Sequence, residues 1–132
     1  MDPQLEGSVV LVTGASGGIG RALASAFAAA GARLALTGNE HVADLRAWLE
    51  EQRFPDAIAI EADTTDPASI DAAFDAARAK FGRVDVAIAN AGKWTPEFAL
   101  IHAASVERIR ANPEQPRRIF DAVRHRSRLI ER

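Results

Sequence analysis

The chain has 132 residues, a formal net charge of −2, 48% hydrophobic and 26% charged residues, and no cysteine. That length supports one packed core, the near-neutral balance gives no general reason to bind nucleic acid or an anionic membrane, and the missing thiols exclude disulfides, thiolate metal sites and a cysteine nucleophile. No apolar run approaches the roughly 20 residues of a membrane span, and residues 1–6 lack the basic and apolar regions of a signal peptide, so a cytoplasmic protein is expected.

Residues 8–13 are nearly all apolar and mostly β-branched, as expected for a strand buried on both faces. A helix is predicted over residues 20–30, alanine-rich with Leu23 and Phe27 one turn apart and Gly31 at its end. Residues 34–37 form a second short strand. An amphipathic helix follows over 42–52, with Val42, Leu45 and Leu49 on one face. After Pro55, residues 57–60 make a third strand. Asp66-Pro67 is an N-cap followed by proline at the first helical position, opening a helix over 68–81 with Ile70, Phe74 and Ala77 along one side. Gly82 closes it, and residues 84–89 are a fourth strand.

Strands alternating with helices of this length predict an α/β fold with a parallel sheet of about four strands joined by right-handed crossovers. Beyond residue 92 the pattern turns to helices only, over 98–110 and 117–130, separated by a break at Asn112-Pro113-Glu114-Gln115-Pro116. The expected organisation is a single domain over residues 1–132, with strand–helix alternation over 1–92 and a helical, basic part over 93–132. The acids outnumber the bases before residue 103, and arginine dominates after it.

The feature richest in chemistry is Thr13-Gly14-Ala15-Ser16-Gly17-Gly18-Ile19-Gly20, lying between the first strand and the first helix. A glycine-rich turn there lets backbone approach a pyrophosphate, and the unpartnered N–H groups of the helix start carry partial positive charge. The other reading of the same glycines is a tight turn needed only for strand-to-helix packing. The histidines His41, His102 and His125 share no ligand-like spacing, so no metal site is expected. Each is read as a surface or helix-flank residue, and Trp48 and Trp94 as packing area.

At these residues the chain resembles the short-chain dehydrogenase/reductase family. Residues 13–20 are similar to its TGxxxGxG turn. Asp63, after the third strand, is placed like the family's aspartate that meets the adenine. Asn90-Ala91-Gly92 resembles the end of its NNAG element, with Ala89 where asparagine is usual. The resemblance implies a doubly wound, Rossmann-type sheet in the order 3-2-1-4, and binding of a nicotinamide dinucleotide by Gly14, Ser16, Gly17, Gly18, Ile19, Gly20, Asn39, Asp63, Thr64, Asn90, Ala91 and Gly92. For Asp63 the alternative is capping of its own loop, and for Asn90 a turn residue in the left-handed region. At the end of the second strand, Thr37-Gly38-Asn39 offers no carboxylate to repel a 2′-phosphate, and Glu40 is read as starting the next helix, so NADP is preferred over NAD.

Asn112 is placed like the asparagine with which the family organises a proton-relay water. The family's catalytic serine and Tyr-x-x-x-Lys pair lie beyond a fifth strand, and these 132 residues contain no tyrosine. The expectation is therefore the cofactor-binding part of an oxidoreductase that passes hydride between a nicotinamide and a carbonyl or alcohol, truncated before the fifth strand. The alternatives are a non-catalytic dinucleotide-binding or interaction module, or a decayed fragment. Homo-oligomers are expected through the C-terminal helices or an exposed sheet edge.

Overall fold

The computed structural model describes residues 2–92. Its elements alternate: β1 (Val9–Val12), α1 (Gly18–Ala29), β2 (Arg33–Gly38), α2 (Val42–Gln52), β3 (Ala57–Glu61), α3 (Pro67–Phe81) and β4 (Val86–Ile88). The four strands form one parallel sheet, as the alternation predicts, in the order β3-β2-β1-β4 that the family resemblance implies. The helices predicted over 98–110 and 117–130, and the break at 112–116, lie outside the described residues.

Every residue of β1 is buried. Its pleat divides the core. Val10 and Val12 pack with Leu34, Leu36, Ala24 and Leu45 beneath α1 and α2. Val9 and Leu11 pack with Ile70, Phe74 and Ala77 of α3 on the opposite face. That two-sided covering explains why β1 reads as an unbroken apolar run rather than an alternating one. Trp48 packs against the first cluster and meets Phe54 edge-on with ring centroids 5.6 Å apart, in line with its reading as packing area.

Helix ends follow local chemistry. The Asp66 side chain accepts from the Ala68 N–H at 3.0 Å, with Pro67 at the first helical position. At the other end of α3 the left-handed residue is Gly82, but α2 ends on Arg53 with φ 52°, a conformation that disfavours side chains. Helix α1 begins at Gly18, two residues before its predicted start, so the last glycines of the turn already belong to the helix.

Strand β4 is shorter than its predicted span and is preceded by Asp85. Its side chain turns back to the start of β1, where Oδ2 accepts from the Val9 N–H at 2.8 Å. Oδ1 accepts from Arg83 Nε at 2.6 Å and is also paired with Arg83 Nη2. Partial burial works against the carboxylate's charge, but the Val9 hydrogen bond, the Arg83 hydrogen bond and the charges of Arg83 and Arg33 together hold its pKa below 3.8. A depressed carboxylate stabilises the fold fully at neutral pH and loses that contribution as the pH falls through its lowered value. Replacing Asp85→Ala leaves the buried Val9 N–H without its acceptor and is expected to cost about 1–2 kcal/mol at pH 7 by urea unfolding. The gap from the parent protein closes as the pH falls below the ordinary aspartate range.

Candidate nucleotide site

The carboxyl ends of all four parallel strands open on the same edge of the sheet, where the loops after them converge. The chain leaves β1 for β2 on one side, while β4 returns to the other side, so the loops after β1 and β4 part at a topological switch point. A cavity of about 600 Å³ lies there.

Thr13, buried at the end of β1, ties the two diverging loops together. Its Oγ1 accepts from the Asn90 and Ala91 N–H groups, each at 3.1 Å, and donates to Ile88 O at 3.4 Å. The Asn90 side chain answers from the other strand, its Nδ2 donating to Thr13 O at 3.0 Å and to Gly14 O at 3.1 Å. The alternative of a left-handed turn residue at Asn90 is not met. Among the described residues Arg53 is the one non-glycine with positive φ. Asn90 instead braces the glycine turn.

The glycines of the turn have different reasons to be there. Gly14 has φ +63°, and a Cβ on it would sit 2.6 Å from Ala91 Cα. A Cβ on Gly20 would sit 2.5 Å from Ala15 Cα. At these two positions the close neighbour is the protein's own backbone, as the packing reading supposes. Gly18 is the opposite case: its Cβ would meet nothing within 4 Å. The open space at Gly18 adjoins the start of α1, whose N-cap, Gly17, makes no side-chain hydrogen bond and whose first turn has no acidic residue. Those N–H groups and their partial positive charge therefore face the cavity without a side-chain counterpart.

Every position singled out around this turn and the later strand ends lines the one cavity: Gly14, Ser16, Gly17, Gly18, Ile19 and Gly20 after β1, Asn39 after β2, Asp63 and Thr64 after β3, and Asn90, Ala91 and Gly92 after β4. Ile19 projects into solvent, 75% exposed at the mouth. Asp63 also performs the loop-capping role, its Oδ1 accepting from Thr65 N at 2.9 Å and Thr65 Oγ1 at 2.7 Å. Asn112 lies outside the described residues. Among the described residues no cluster of metal-ligating side chains occurs, and no helix is long and apolar enough to cross a membrane.

Gly38, Glu40, His41, Ala62 and Thr65 also line the cavity, though sequence reasoning did not assign them to it. Glu40 is the clearest correction. Helix α2 starts at Val42, so Glu40 belongs to the turn after β2 and borders the cleft. His41, read as a helix flank, is both the N-cap residue of α2 and a cavity residue. Spacing alone could have raised both, because they stand about 20 residues beyond the last motif glycine. Arg21 is drawn elsewhere: its guanidinium lies over the Trp48 ring, 5.4 Å from the centroid.

A doubly wound parallel sheet with a glycine-rich first turn and a cleft at its switch point defines a Rossmann-type domain. Residues 8–112 match the family model for short chain dehydrogenase, and the chain belongs to the short-chain dehydrogenase/reductase family. It is 43% identical over 93 residues to a sorbose reductase of Candida albicans, covering 69% of this chain and 33% of that protein. An identity of 44% over 93 residues links it to a D-threitol dehydrogenase of Mycolicibacterium smegmatis, covering 69% of this chain and 35% of that one. Among solved structures, a 3-ketoacyl-(acyl-carrier-protein) reductase from Brucella melitensis complexed with NADH superposes with a TM-score of 0.76 at 30% identity, over 92% of this chain and 49% of that one. The L-sorbose reductase from Gluconobacter frateurii, complexed with NADPH and L-sorbose, gives a TM-score of 0.65 at 31% identity, over 82% of this chain and 41% of that one. The chain thus spans between a third and about a half of the length of the curated relatives it matches.

The glycine geometry separates folding from ligand contact. Gly14→Ala forces a side chain into the left-handed region and against Ala91, and is expected to cost about 3 kcal/mol. Gly18→Ala enters open space at a helix start and is expected to change stability by no more than about 0.5 kcal/mol. Thermal and urea unfolding of the two variants beside the parent chain tests the contrast.

Proposed function

We propose that this chain is the nucleotide-binding part of an NAD(P)-dependent short-chain oxidoreductase acting on a carbonyl/alcohol pair. The observation that carries the reading is the open space over Gly18 at the uncapped start of α1. A pyrophosphate there accepts from backbone N–H groups that have no side-chain counterpart and meets the positive end of the helix. Ser16 adds a hydroxyl beside it. Asp63 and Thr64 border the adenine end, and Ile19, Asn90, Ala91 and Gly92 the side nearest β4. When bound, the nicotinamide ring supplies the hydride. The residues of this chain hold and orient it.

NADP is the preferred form in this reading. A carboxylate on the last residue of β2 would bind the ribose 2′-OH of NAD and repel a 2′-phosphate. That residue is Gly38, and a Cβ on it would lie 3.2 Å from Val42 Cα, so the close approach of α2 resists an acidic side chain. Asn39 offers a neutral amide to the phosphate instead. Glu40, one residue further on, works against it and keeps the preference to about tenfold or less.

The 132 residues hold no tyrosine. This favours a binding role for the isolated chain, since it has no phenol to act as general acid. Association of chains along the outer edge of β4, an edge strand among the described residues, and residence in the cytoplasm belong to the same reading.

Titration with NADPH and NADH, followed by nicotinamide fluorescence, is expected to show saturable binding of both, with NADPH the tighter, and no turnover of a carbonyl panel. Gly18→Asp places a carboxylate in the pyrophosphate's space while still suiting a helix start, and is expected to weaken binding at least about tenfold with the fold intact by circular dichroism. Binding indifferent to that substitution would defeat the reading.

A further inference from the structure

One margin of the sheet carries apolar side chains that the described elements only half cover. Helices α1 and α2 pack over β1, β2 and β3 on one side, whereas β4 has β1 as its main neighbour among the described elements. On that same side Val86 and Ile88 of β4, with Leu23 and Phe27 of α1, are half-buried at the edge of the core. Arg21 turns to Trp48 of α2. Ile19 and Leu23 lie about 200° round the helix from it, on the flank toward β4. Ile19 is 75% exposed, and α1 has no charged residue besides Arg21. A contiguous apolar face of this kind is covered by something.

The chain itself supplies a segment of matching character. Residues 93–132 follow Gly92, which lies at the end of β4. The family match ends at residue 112, and Pro113 and Pro116 give the chain a place to turn back. Residues 117–130 lie outside the described residues. Read as a helix, their sequence puts Ile119, Phe120, Val123 and Ile130 on one side and Arg117, Arg118 and Arg128 away from it. Such a helix is about 21 Å long, close to the roughly 18 Å of α1 beside which it would lie. Acids outnumber bases before residue 103 and arginine dominates after it, so segment and body attract.

We infer that residues 117–130 dock on the face formed by α1 and β4, with Phe120 and Val123 set against Leu23, Phe27, Val86 and Ile88. Ile19 belongs both to this face and to the mouth of the cleft, so the docked segment also borders the cleft on its β4 side. The contact does not depend on nucleotide binding, which the titration above reads separately.

The test uses the full chain, which holds no cysteine, so introduced thiols are unique. Ala26→Cys, on the exposed β4 flank of α1, combined with Ser127→Cys on the apolar side of the segment, is expected to form a disulfide within one chain under mild oxidation. Ala26→Cys with His125→Cys, on the opposite side, is expected to close at least about fivefold more slowly. Hydrogen exchange gives a second reading: Phe120→Asp with Val123→Asp is expected to speed exchange at residues 84–88 about tenfold while β2 and β3 keep their protection. If that variant loses protection across the whole sheet, the cysteine pairs decide alone. Equal closure of the two pairs, no closure of either, or unchanged exchange at β4 overturns the docking. Disulfides that form between chains and grow with protein concentration assign the face to a second copy and overturn it as well.

Discussion

The cleft depends on how the ends of β1 and β4 are held together. These two strands are neighbours in the sheet, yet their loops part at the switch point, where backbone groups would otherwise lack partners. The buried Thr13 hydroxyl accepts from two N–H groups beyond β4 and donates to Ile88 O, and the Asn90 amide donates to the carbonyls of Thr13 and Gly14. A valine at position 13 would fill the same volume and satisfy none of these groups, which is why a polar residue ends an otherwise apolar strand. The Gly14–Ala91 approach completes the brace, since that closeness leaves no room for a Cβ.

Bracing one side of the glycine turn frees the other. Gly14 and Gly20 are set against backbone, whereas Gly18 stands over open space. The helix ends show the same division. Asp66 caps α3, so its first N–H groups are partly satisfied within the protein, while α1 starts on a glycine with no side-chain bond. An uncapped, unneutralised helix start inside a concavity is an electrostatic preference for an anion. The pyrophosphate reading follows from this asymmetry, and membership of the short-chain dehydrogenase/reductase family agrees with it.

The opposite end of the sheet has a different character. There Arg33 donates through Nε and a terminal nitrogen to Gly7 O at 3.0 and 2.9 Å and lies over Phe81, and Asp85 joins the start of β1 to Arg83. These contacts knit the segment before β1, α3 and β4 into the core. The Asp85–Arg83 pair and the candidate site thus occupy opposite edges of the same four strands, as expected when parallel strands send all their carboxyl ends one way.

Much of this was legible in the sequence, because local chemistry decided it. The unbroken apolar run at Val9–Val12, the Asp66-Pro67 helix start, the apolar spacing of Ile70, Phe74 and Ala77, and the alternation itself determined the elements and their parallel pairing. The glycine turn and the residues after β3 and β4 were also readable, since each stands at a strand end. What tertiary structure alone decided was direction and partner. The Asn90 amide turned to the glycine turn's carbonyls, and Arg21 turned to Trp48. Spacing along one chain carries no record of which neighbour a side chain will meet. That is settled by packing between segments distant in sequence, such as the contact between Gly14 and Ala91 that shapes the cleft.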